Sequence, residues 1–536
     1  MRSLCRLVVA LSVGFLSSSM APAADAVFQF ATTAPLKKGT CTAHLWVPPQ
    51  AKTIRGVVVG GMTLAERELA RDATIRRACG DEQLAIVFVD SGLASFDLQR
   101  LLDDLANVSG YRELSVVPLF FVGHSAGGPQ AKASATQFAD RCFGVMQYRG
   151  GAPSWDPPLP PGVPALMMLG QFDEFGKAMM RDEEGRENWE NGRDQMITYR
   201  GIDPNNLGNI VIEPGAGHYA WSDRNAAYLA LYLRKAAQAR IPEIRGDETA
   251  PITCKPIDVA SGWLTDLTIK AAGHAPAPYR EYAGDKARAG WHFDRELAEA
   301  TVAYHQGFGK QDQFVRWSNP GLDDRGQRFY FEPLQWVGDG QTFEVQPVYA
   351  TRYRNTPQNK AGPRWPTPGG PVGHSTAPIL VRTVGGPFVV AGPNRFRMKY
   401  HTLSPATRSD RGTFLAFSEG DAEYRYSEVA GMTGRGFAGI TAGKEQTITF
   451  PPLADLRADA APVALAATSD SGLPVEYYVA AGPAVIENGS LQLAEIPSRA
   501  KFPIEIRVVA YQCGRGLEPT VKAAAPVERT LKLVGP

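Results

Sequence analysis

The sequence predicts an α/β fold with a mostly parallel sheet in its first half and mainly β structure in its second. Three observations carry this. Between about Ala43 and Ala239, short apolar runs alternate with longer amphipathic segments. After Pro242, one helical stretch apart, short β-like runs dominate. From about residue 444 to the end, apolar and polar residues alternate at period two. Strands that are apolar almost throughout belong to parallel sheets covered by helices on both faces, where neither side of the strand meets water.

The elements follow in order. "RGVVVG" from Arg55 reads as a buried strand and "LAERELARDATIRRA" from Leu64 as a helix. "LAIVFVDS" is a strand, "SFDLQRLLDDLANV" a helix, and "VVPLFFVG" a strand again. "AGGPQAKASATQFAD" is helical; "FGVMQYRG", "VPALMMLG" and "NIVIEPG" are strands; "DRNAAYLALYLRKAAQA" is a helix. Farther on, "DRELAEATVAYH" from Asp294 is helical among short strands such as "RFYFEPLQWV", "PILVRTVGGPFVVAG" and "EYRYSEV". The proline-rich "GPRWPTPGGPVGHSTAP" reads as a surface loop. "ENGS" places an Asn-Gly hairpin turn at Asn488-Gly489.

With 536 residues the chain exceeds one ordinary core. The expected division is a signal peptide (1–24), an α/β domain (25–249), a mainly β accessory domain (250–443) and a β-sandwich (444–536). The first segment has Arg2 and Arg6, an apolar run from Leu7 to Leu16, then small residues around Ala21-Pro22-Ala23. That pattern predicts export, and the run is too short to span a bilayer. No later segment is apolar enough to cross one. A formal net charge of +1 gives no electrostatic basis for nucleic acid or an anionic membrane as partner. Beyond the leader stand Cys41, Cys79, Cys142, Cys254 and Cys513, an odd number without metal-like spacing, from which one or two disulfides can form in an exported protein. Nothing in the pattern specifies an oligomeric state.

The chemistry centres on "GHSAGG", where Ser125 lies between Gly123 and Gly127. The strand before it and the helix after it are the setting of a nucleophile elbow, a tight turn that lifts a serine hydroxyl above the sheet edge. A serine hydroxyl needs a base, and the base an orienting acid. "PALMMLGQFDEF" sets Asp173 at a strand end, with Glu174 as its competitor. "NIVIEPGAGHYAWSD" sets His218 after the next strand. His218 is the only histidine between Ser125 and the end of this domain, and His124, fixed beside the serine, is poorly placed to take its proton. The candidate catalytic set is therefore Ser125, Asp173 and His218. Candidate oxyanion donors are the N–H of Ala126 and that of Met62 in "GGMTLAE", with Gly61 as the alternative to Met62.

These motifs make residues from about 40 to 240 resemble the α/β-hydrolase superfamily. The resemblance implies a serine esterase working through an acyl-enzyme, with no cofactor and no metal. "TITFP", "SGLPVEYYV" and "AGPA" make the terminal region similar to the immunoglobulin-like repeats of exported bacterial proteins, which implies spacing or adhesion. The short, proline-rich "QYRGGAPSWDPPLPPGVPAL" leaves no room for a helical lid, predicting an open cleft for bulky or polysaccharide-linked esters. The charged "GKAMMRDEEGRENWENGRD" reads as a solvated face. Trp155, Phe172, Tyr219 and Trp221 either reach the serine or pack the loops. Two rival readings share the sequence: a serine peptidase with the same three residues, and a binding or adhesion protein on a hydrolase scaffold.

Overall fold

The computed structural model describes residues 26–37, 39–61, 64–150, 157–173, 188–269, 273–319, 323–324, 328–353, 369–434 and 436–535. The expected leader, Met62, Trp155 and Glu174 lie outside the described residues.

Eight strands form one sheet: β1 (Phe30–Pro35), β2 (Thr40–Trp46), β3 (Gly56–Gly61), β4 (Leu84–Val89), β5 (Leu119–His124), β6 (Cys142–Tyr148), β7 (Ala165–Gly170) and β8 (Gly208–Glu213). Their order is β1-β2-β4-β3-β5-β6-β7-β8. Pairings from β4 across to β8 are parallel, and every residue of β3 to β8 is buried, as their sequences require. β1 and β2 join antiparallel at one edge, with a mixed polar pattern that the runs of Val and Leu elsewhere overshadow.

The helices are α1 (Leu64–Arg71), α2 (Ala73–Asp81), α3 (Leu98–Ser109), α4 (Gly127–Gln137), α5 (Asn188–Ile202) and α6 (Asp223–Arg240). Two expectations are corrected here. The single helix expected from Leu64 is two, because Asp72 leaves the helical path and its carboxylate caps the N–H groups of Thr74 and Ile75. Of the charged insertion expected as a solvated face, the described residues begin α5, and Trp189 there is fully buried, as are Met196 and Tyr199 beyond it. Charges on one side of a helix conceal an apolar side when the intervening residues are few.

A seventh helix, α7 (Arg295–His305), closes the β8 edge of the sheet, where unpaired N–H and C=O groups would otherwise recruit another strand. His305 Nε2 accepts the Ile212 N–H at 3.2 Å, and Asn209 of β8 donates to Thr301 at 3.4 Å. Downstream, Ser427–Met432 and Thr413–Ser418 sit at the centre of a five-stranded sheet that packs beside a four-stranded one. The final region holds a four-stranded sheet built on Ile504–Tyr511 and Val527–Val534, and a three-stranded sheet. Its hairpin turns at Asn488 (φ 49°) and Gly489 (φ 73°), both in the left-handed region that an Asn-Gly turn needs. The five described cysteines are all free and buried, so the one or two disulfides that the sequence allowed are absent among the described residues.

Candidate active site

Ser125 follows the last residue of β5 at φ 54°, a conformation that costs a side-chain-bearing residue roughly 1–2 kcal/mol. Its backbone is tied on both sides. The Ser125 N–H donates to the Tyr148 carbonyl at 3.2 Å, and its own carbonyl accepts the Gly128 N–H at 3.1 Å. A Cβ on Gly123 would run into the Gly127 carbonyl, and one on Gly127 would run into the carboxylate of Glu66. The first collision is across the turn, as the sequence suggests; the second is with a helix far from it in the chain. Glu66, on α1, is 1% exposed and accepts the His124 N–H at 2.7 Å. A buried carboxylate thus holds the elbow from below.

Asp173 and His218 meet. The Asp173 Oδ1 to His218 Nδ1 distance is 2.9 Å, with both side chains about 1% exposed. A donor on Nδ1 leaves Nε2 as the nitrogen that can accept a proton. Asp173 comes from the turn after β7, His218 from the turn after β8, and Ser125 from the turn after β5, so all three stand at the carboxyl edge of the parallel strands. His124 links two of these turns. Its Nε2 donates to the His218 carbonyl at 3.0 Å, and its ring lies 4.8 Å from the His218 ring. Burial first, and then the proximity of His218, hold His124 well below the usual imidazole range, so it stays neutral. The sequence argument set His124 aside as a base and missed this bridging role.

Beneath the site lies a buried ion pair, Arg149 with Glu213. Asn225 donates to Glu213 at 3.1 Å and to the Tyr148 hydroxyl at 2.8 Å. Each charge there has an opposite partner or a hydrogen bond, which is what makes it tolerable away from water.

Of the candidate oxyanion donors, Ala126 is exposed and immediately precedes α4. Met62 lies outside the described residues. Gly61 ends β3, and its carbonyl faces Gly127 of the elbow. The three described aromatic residues pack the loops. Tyr219 is edge-on to His218 with centroids 5.0 Å apart, Trp221 lies against Tyr148, and Phe172 against Phe314.

The carboxyl edge is bordered by the downstream β region; the insertion read as too short for a lid lies partly outside the described residues. Residues from the downstream β region contact α1 and the loops after β4, β7 and β8. Asp410 pairs with Arg67 at 2.6 Å, Arg408 donates to the Asp90 carbonyl at 3.3 Å, Arg425 to Gln171 at 3.0 Å, and Glu428 accepts from Gly217 at 2.9 Å. Contacts supplied by distant residues leave no trace in the length of a local insertion.

No protein-family model matches this sequence, and no curated protein does. Solved structures resemble part of it. The esterase domain of a Rhodothermus marinus protein is 17% identical, with a TM-score of 0.27, over 39% of this chain and 97% of that one. A hyperthermophilic esterase from the archaeon Pyrobaculum calidifontis is 13% identical, with a TM-score of 0.29, over 40% and 85%. An S-formylglutathione hydrolase from Agrobacterium tumefaciens is 15% identical, with a TM-score of 0.28, over 39% and 93%. At such scores the likeness adds nothing to the geometry of the site itself. Among the described residues no helix is long and apolar enough to cross a membrane.

Proposed function

We propose that this protein is a serine hydrolase of the α/β-hydrolase type that cleaves carboxylic esters. The observation that carries the reading is the buried Asp173–His218 hydrogen bond, at the same sheet edge as a serine held at positive φ. Ser125 Oγ attacks the ester carbonyl while His218 takes its proton. Asp173 holds the imidazole in the tautomer that can accept it and stabilises the imidazolium that forms. The N–H groups of Ala126 and of Met62 or Gly61 receive the tetrahedral oxyanion. The intermediate collapses as His218 returns the proton to the leaving alcohol, giving an acyl-Ser125. A water molecule, deprotonated by the same imidazole, then releases the acid. Ser125 is half-buried and Ala126 exposed, so the reacting centre is reached from solvent, which suits an ester carried on a bulky or polymeric group. The leader pattern of residues 1–24 supports export of the enzyme.

Replacing Ser125 with alanine tests this. Turnover of a short aryl ester falls about 10⁴-fold or more while the chain stays folded. Undiminished turnover by the folded variant would refute the assignment.

A further inference from the structure

The loop that carries His218 is held from two sides, and only one belongs to the α/β region. On the inner side, Phe172 N–H donates to the Ala216 carbonyl at 2.9 Å, and Gln171 Oε1 accepts the Gly215 N–H at 2.9 Å. On the outer side lies the segment leading into strand Ser427–Met432. Gly215, at φ +79°, faces the Tyr426 carbonyl so closely that any Cβ would collide with it. Arg425 Nη1 reaches Gln171 Oε1, already the acceptor for Gly215, at 3.0 Å. Glu428 Oε1 accepts the N–H of Gly217, the residue before His218, at 2.9 Å. The other oxygen of Glu428 accepts the Tyr426 hydroxyl at 2.6 Å, which fixes the carboxylate's direction.

This arrangement points to a defined job. A glycine-rich loop has little stiffness of its own, and an imidazole displaced by about 1 Å from its serine forfeits much of its catalytic advantage. A carboxylate accepting a backbone N–H makes one of the stronger hydrogen bonds available. We propose that Glu428, more than two hundred residues downstream of the base, is a positioning residue for His218, and that the β region thereby completes the hydrolytic site. The inference rests on the serine-hydrolase reading above. Glu428 acts through Gly217 N–H and touches no reacting atom.

The experiment compares wild type, Glu428→Ala and Glu428→Gln as full-length proteins on a soluble aryl ester, with kcat expressed per site titrated by a fluorophosphonate. Glu428→Gln keeps an acceptor oxygen for Gly217. The expected result is a kcat about 10-fold lower or more in Glu428→Ala, with KM within about threefold, and substantial rescue in Glu428→Gln. A purely structural role would lower the number of titratable sites and leave kcat per site unchanged; that result overturns the inference. Should Glu428→Ala not fold, Glu428→Asp, which withdraws the acceptor by one methylene, takes its place with the same two outcomes. Wild-type protein that neither reacts with the fluorophosphonate nor turns over the ester overturns the hydrolase reading and this inference together. Wild-type activity with an unaffected alanine variant overturns the inference alone.

Discussion

Ser125 occupies a backbone conformation it would not choose, and two neighbours keep it there. Glu66 takes up the His124 N–H, and the Tyr148 carbonyl takes up the serine's own. Glu66→Ala removes the acceptor and leaves a buried N–H unsatisfied, at a cost of about 1–3 kcal/mol. Urea titration of the variant checks this, with a lower midpoint expected; an unchanged midpoint would mean that the elbow is held by something else. The sequence singled out Ser125, Asp173 and His218 because each stands at the end of an apolar run, and the structure brings the last two within hydrogen-bond distance. Glu66 was not legible. A glutamate in "LAERELAR" looks like one more charge on an amphipathic helix, and only the close approach of Gly127 reveals that this carboxylate faces inward. His124 was half-legible: its neutrality follows from burial beside His218, and its hydrogen bond to the His218 carbonyl depends on where the β8 turn arrives.

Strands β3 to β8 could be read from sequence because a fully buried strand must be apolar throughout, and six such runs in a row leave little else to be. Helix ends were harder, since capping by Asp72 competes with a hydrophobic pattern that continues through it. The loops at the carboxyl edge were the least legible elements. Their partners lie in "EYRYSEV" and near Asp410, segments that read only as alternating strand and turn. The length of the insertion after β6 says nothing of these contacts, because they come from residues far along the chain. At this scale the Glu428 variants are decisive, because they perturb a loop from outside the region that carries it.

The regions are not strung like beads. One buried cluster joins Val57, Leu119 and Leu169 to Phe450, Ile506 and Leu533, and a second joins Phe120 and Leu229 to Cys254, Leu297 and Met432. Arg499 of the last region pairs at 2.9 Å with Glu113, which is fully buried, and the Lys501 N–H donates to the Ser109 carbonyl at 2.9 Å. The terminal region is thus seated on the α/β region, in contrast with a free spacer. Outside the candidate site, histidines are buried both in the α/β region and in the region after it. Burial pushes His44, His292, His305 and His401 down to about 3 from 6.5. Between those values the unfolded imidazoles bind protons that the folded ones do not. Stability therefore falls as pH drops from about 6.5 towards 3, by up to about 1.4 kcal/mol per pH unit for each histidine, and these groups add no slope above that window. Thermal melts at pH 7, 6, 5 and 4 are expected to show a progressive fall, and a flat melting temperature would contradict it. The central claim is tested most directly by intact-mass spectrometry of the whole chain after fluorophosphonate treatment. The account predicts one adduct per chain, mapped to the peptide containing Ser125 and absent from Ser125→Ala; no adduct on folded wild-type protein, or one on another residue, would contradict it.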